Sequence, residues 1–90
     1  MNTDVKNSFL RDIKKIIDPA HKENVEQAIL AVMNAQTTRD IPELKKYKRC
    51  KKGISYRIKI GSYRIGVTIV GNVLTFVRCL PRKDIDKYFP

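Results

Sequence analysis

The chain has 90 residues, with 19 Lys and Arg against nine Asp and Glu, a formal charge of +10. That length holds one domain, residues 1–90, with one core, and 42% hydrophobic against 31% charged residues is the composition of a folded globule. No apolar run approaches the roughly 20 residues of a membrane span. Residues 1–7 contain no apolar stretch suited to a secretory signal, so a cytoplasmic location is expected. Cys50 and Cys79 can form at most one bridge and have no metal-ligand spacing, so neither a metal nor a cofactor is expected. With no Gly-rich phosphate loop and a single His, most small-molecule enzymes are excluded. A small basic binder or an RNA-directed enzyme remains.

In chain order, Val5 and its neighbours suggest a short first strand. Phe9, Ile13, Ile16 and Ile17 then fall on one helical stripe and predict a helix over 8–17. Asp18-Pro19 reads as an N-cap followed by proline at the first helical position, where a missing N–H costs nothing. The second helix is expected to reach about Gln36, with Val25, Ala28, Ile29, Val32 and Met33 as its core stripe. So short a link predicts an antiparallel helix hairpin. Residues 37–53 read as a connector, with Leu44 and Tyr47 pinning it to the core.

Beyond it, 54–60, 63–70 and 73–80 are β-branched and aromatic runs of strand length. Gly61-Ser62 and Gly71-Asn72 separate them and suit type II′ hairpins, giving an antiparallel meander. Two-residue loops set the register, pairing 60 with 63, 58 with 65, 70 with 73 and 67 with 76. One face then carries Tyr56, Ile58, Ile60, Tyr63, Ile65, Val67, Ile69, Leu74, Phe76 and Leu80 and needs the helices as cover. Arg78 also falls on that face, opposite Ile65, and must reach an edge or mark a bulge. The other face carries Arg57, Lys59, Arg64, Gly66 and Cys79. Like charges directly across a ladder destabilise a sheet, so Lys59 facing Arg64 points to an anion held there. Gly66 in mid-strand leaves room for an approach.

Charge is segregated as well. Residues 44–83 contain no acid and hold twelve bases, while the other seven bases share the rest of the chain with all nine acids. Such a field suits a polyanionic partner. Lys45, Lys46, Lys48, Arg49, Lys51, Lys52 and Lys83 are the candidate RNA-binding residues. His21 reads as a surface residue and Cys79 as a structural thiol.

The run Tyr56-Arg57-Ile58-Lys59-Ile60-Gly61-Ser62-Tyr63-Arg64-Ile65-Gly66, followed by Phe76-Val77-Arg78-Cys79-Leu80-Pro81-Arg82-Lys83-Asp84-Ile85, resembles the RelE/ParE superfamily of bacterial toxins. The resemblance covers nearly the whole chain. It implies an α+β fold, a helix hairpin packed on one face of a small curved antiparallel sheet, in the order β-α-α-β-β-β with a short C-terminal tail. It also implies a cognate antitoxin as partner and, in the RelE branch, metal-independent cleavage of mRNA in the ribosomal A site. Arg57, Lys59, Arg64 and Arg82 match the family's basic catalytic positions. Guanidinium forks fit phosphoryl oxygens, so Arg64 and Arg82 suit the phosphate in flight. Lys59, crowded by cations, is the candidate base, and Arg57 stabilises charge or donates a proton. Relatives often read His-Arg-Lys-Asp-Ile-Tyr where this chain has Pro81-Arg82-Lys83-Asp84-Ile85-Asp86, so a carboxylate replaces the stacking ring. Two alternatives stand beside the nuclease: a ParE-like toxin acting on a protein such as gyrase, and a catalytically weakened RNA-binding homologue. Ile85, Tyr88 and Phe89 are expected to form one apolar edge.

Overall fold

A computed structural model describes residues 1–49 and 53–90; Lys51, Lys52 and Cys50 lie outside the described residues. The elements are β1 (Asn2–Val5), α1 (Asn7–Lys14), α2 (Pro19–Asn34), β2 (Leu44–Arg49), β3 (Ile54–Ile60), β4 (Tyr63–Val70), β5 (Val73–Pro81) and α3 (Arg82–Tyr88). The strands form one mixed sheet in the order β1-β5-β4-β3-β2. The expected α+β class holds, with a sheet larger than the meander. β1 runs parallel to β5 at one edge, and the basic connector contributes β2, antiparallel to β3, at the other. A Lys-rich segment has little strand propensity of its own. Here the open edge of β3 supplies its hydrogen bonds, with Leu44 opposite Ile58 and Lys45 opposite Arg57.

α2 begins where its cap signature places it, and both α1 and α2 end earlier than expected. α1 stops at Lys14, so Ile16 turns into the core while Ile17 is 92% exposed, contrary to the expected stripe. Asp18 Oδ1 accepts the Ala20 N–H at 2.8 Å and Pro19 opens α2, as the cap signature requires. α2 ends at Asn34, and Met33 is exposed rather than buried. α1 lies against β5 and α2 against β3. Phe9, Ile16, Val25, Val32, Ile58, Ile65, Val67, Leu74 and Phe76 form the core between helices and sheet. Phe9 and Phe76 pack as a tilted pair with ring centroids 5.1 Å apart. No helix among the described residues is long and apolar enough to cross a membrane.

The meander follows the predicted register up to the middle of β5. Ile60 pairs with Tyr63, Ile58 with Ile65, Val70 with Val73 and Val67 with Phe76. Gly61 and Gly71 have φ of 55° and 61° while Ser62 and Asn72 do not take positive φ, which is the backbone of a II′ hairpin. The ladder then slips by one. Val67 pairs with Phe76 but Gly66 with Arg78, leaving Val77 as an extra residue, a β-bulge. Downstream faces exchange: Cys79 pairs with Ile65 and is buried in the core, while Leu80 pairs with Arg64. The expected places of Cys79 and Leu80 are thus reversed.

Arg78 pairs with Gly66 rather than with Ile65 as expected, because the bulge shifts it by one position, and it also reaches the edge. Its Nε and Nη2 donate to the Asp12 carboxylate at 2.7 and 3.0 Å. β1 ends opposite Phe76, and α1 takes over the edge of β5 that it leaves. Ser8 Oγ donates to Val77 O at 2.6 Å, and Asp12 Oδ2 accepts the Cys79 N–H at 2.9 Å. Two helix side chains thus stand in for a missing strand, because a buried backbone group without a partner is costly.

The C-terminal tail is a helix, α3, and it crosses the face opposite α1 and α2. Its cap residue Phe89 is buried against Gly66, where a Cβ would lie 2.6 Å from the ring. What approaches Gly66 is therefore the chain's own tail. Ile85 and Phe89 form the expected apolar edge, while Tyr88 points to solvent with the Arg78 guanidinium 5.6 Å from its ring centre. His21 is half-buried, its ring 5.2 Å from that of Tyr63.

Candidate active site

Between the open part of the β3–β4 face and the start of α3 lies a cleft of about 780 Å³. Its walls include Lys45, Arg57, Lys59, Arg64 and Arg82. Alternation along the strands places them. Arg57 and Lys59 are two apart on β3 and share a face, Lys45 on β2 stands opposite Arg57, and Arg64 on β4 stands opposite Lys59. Arg82 arrives from the third dimension. It is the first residue of α3, and its N–H donates to Ser62 O at 2.8 Å, tying the helix start to the β3–β4 turn.

Each cation is held differently. Arg64 folds back on the turn, its Nη1 donating to Gly61 O and Tyr63 O, both at 2.8 Å. Arg57 lies 4.3 Å from the centre of the Tyr47 ring, a cation–π contact, and that ring stacks on Phe89 at 6.0 Å. Arg57 also pairs with Asp86, its Nη1 donating to Oδ1 at 2.6 Å. Lys59 is exposed at the cleft wall, and its N–H donates to Glu43 O at 3.2 Å.

The structure brings together all four residues expected to act chemically and adds Lys45 to them. Lys83 borders an adjoining depression with Arg82 and Asp86. Lys46, Lys48 and Arg49 are exposed along β2 outside the cleft, and Lys48 Nζ sits 5.3 Å from the Tyr47 ring centre. Sequence reasoning overlooked Glu43, which lines the cleft with φ of 59°. Nothing local announces a left-handed backbone at a glutamate after Pro42. Among the described residues no group of three or more His, Cys, Asp and Glu is placed to hold a metal ion.

Cys79 is only one residue from Arg78, but it behaves as a core side chain. Burial, reinforced by the Asp12 charge, pushes its thiol up to about 12, so the thiolate is not available near neutrality. The Arg78 guanidinium is held above its usual range chiefly by its hydrogen bond to Asp12.

Fold and cleft together define a small α+β protein that gathers five cations, Lys45, Arg57, Lys59, Arg64 and Arg82, around one cleft on its open sheet face. No protein-family model matches the sequence. Over 85 residues, 92% of each chain, it is 34% identical to Toxin RelE3 of Methanocaldococcus jannaschii. The structure superposes with a TM-score of 0.76 on a chain of the RelB-RelE antitoxin-toxin complex from Methanococcus jannaschii, at 29% identity, covering 97% of this chain and 99% of that one. A chain of the archaeal RelE-RelB complex from Pyrococcus horikoshii OT3 shares the fold, with a TM-score of 0.70 at 14% identity over 90% of this chain and 93% of that one. The chain belongs to the RelE toxin family.

Proposed function

We propose that the protein is the toxin of a type II toxin–antitoxin pair and acts as a ribosome-dependent mRNA endonuclease in the cytoplasm, restrained by a cognate antitoxin. The observation that carries this reading is the convergence of Arg57, Lys59, Arg64 and Arg82 on one cleft from three separate elements. RNA cleavage by its own ribose needs the 2′-hydroxyl deprotonated, the five-coordinate phosphate stabilised and the departing 5′-oxygen protonated. Lys59 takes the 2′-hydroxyl proton. Arg64 and Arg82, both anchored at the β3–β4 turn, hold the phosphoryl oxygens. Arg57 stabilises developing charge or supplies the proton to the leaving oxygen. The expected antitoxin contribution is an acidic or amphipathic segment that covers this face.

Primer-extension mapping of a message translated by ribosomes, with Arg82→Ala as control, tests the reading. Cuts at A-site codons that vanish in the control support it. An uncut message with growth still arrested in cells overturns it in favour of a protein target. An uncut message without toxicity leaves a binding protein that has lost the chemistry.

A further inference from the structure

The Arg57–Asp86 pair is out of place in a cleft meant for RNA. Asp86 lies 29 residues away in sequence, on the exposed side of α3, with its side chain 65% accessible. It gains little from an ion pair in water, where such contacts are worth close to nothing. Its partner is different. Arg57 is clamped from below by Tyr47, whose ring is in turn stacked on Phe89, and its side chain is only 32% accessible. One face of the guanidinium is thus fixed, and the carboxylate takes Nη1 through Oδ1 at 2.6 Å. A carboxylate and a phosphate present the same paired anionic oxygens to an arginine.

We infer that Asp86 is a positioning residue that stands in for a substrate phosphate on Arg57, so that RNA binds there by exchanging one anion for another. This rests on the reading of the cleft as an RNA site. Exchange has two consequences. Arg57 is held extended and ready, at no cost in side-chain ordering when RNA arrives. It also contributes almost no net charge to the encounter, because the pair is neutral before RNA arrives and Asp86 stays beside the phosphate afterwards. Arg57 then selects for a phosphodiester placed well enough to displace the carboxylate, while Lys45, Lys59, Arg64 and Arg82 supply the attraction.

The test is the salt dependence of binding to a short single-stranded RNA, measured for the whole chain and for Asp86→Asn. Removing the competing charge should tighten binding about two- to five-fold. It should also steepen the slope of log K against log salt by about 0.7, the release expected for one further phosphate on a single strand. Neither change should appear when Asp86→Asn is made in an Arg57→Ala background. Asp86→Ala serves as a second variant, with circular dichroism to show that α3 persists. Weaker binding by Asp86→Asn, or an unchanged slope, overturns the inference while leaving the nuclease reading intact. If the wild-type chain binds no RNA, the inference is overturned, while the nuclease reading still stands or falls on cleavage of the message in ribosomes.

Discussion

Asp12 and Cys79 meet where β5 bulges, and both side chains are buried. Asp12 is 4% exposed and satisfies three donors, two on Arg78 and the Cys79 N–H. Cys79, beside it, keeps its proton up to about 12 in the fold, against an ordinary value of 9.0. An unfolded chain releases that proton from pH 9 upward while the folded chain retains it. The contribution of Cys79 to stability is therefore complete below about pH 9 and is lost as pH climbs toward 12, at a limiting slope of about 1.4 kcal/mol per pH unit. Urea unfolding at a series of pH values from 8 to 10.5 should show Cys79→Ala flattening the decline seen in the parent. Parallel curves would mean that the thiol is not buried.

Among the elements, α3 links fold to chemistry. It has seven residues, too few to be stable alone, and is held by Ile85 and Phe89 against the sheet. The same helix carries Arg82 at its first position and Asp86 one turn on, so the cleft exists only while α3 is docked. Gly66→Ala puts a methyl 2.6 Å from the Phe89 ring and should displace it. A loss of about 1–3 kcal/mol in urea denaturation is expected from this overpacking, with faster protease cleavage beyond Pro81. Unchanged stability would show that Phe89 does not sit on Gly66. At the opposite edge, β2 illustrates the same dependence on neighbours. Its lysines form a strand because β3 has hydrogen bonds to offer, and only as a strand does Lys45 face Arg57.

For the molecule as a whole, charge and curvature coincide. The acid-free stretch 44–83 folds into β2 to β5 and the start of α3, and the cations it places in the cleft outnumber Glu43 and Asp86. With Arg57 neutralised by Asp86, four cations remain to neutralise phosphates: Lys45, Lys59, Arg64 and Arg82. At about 0.7 counterions released per phosphate of a single strand, affinity for RNA should fall about fifty-fold between about 50 and about 200 mM salt. Fluorescence anisotropy with a labelled single-stranded RNA measures this directly. A flat response would mean that the cleft does not contact the phosphate backbone.

Much of this architecture was legible in the chain because its causes are local. Helix stripes, the Asp18-Pro19 cap and the two Gly-first turns depend on neighbouring residues, and two-residue turns leave one pairing register for β3, β4 and the first half of β5. Strand alternation then puts Arg57, Lys59 and Arg64 on a common face. The rest was decided by contacts between distant residues. The bulge at Val77 moves Cys79 into the core, and Arg78 finds Asp12 at a separation of 66 residues. Phe89 fills the space over Gly66, and Asp86 closes on Arg57. Such contacts pair groups that no local rule relates, because they are selected by which cavities and unpaired groups the packed helices and sheet leave open. Sequence alone placed Arg57, Lys59 and Arg64 on one face; tertiary packing brought Glu43, Lys45, Arg82 and Asp86 to them and decided the depth of the cleft, its second wall and the partner that Arg57 holds.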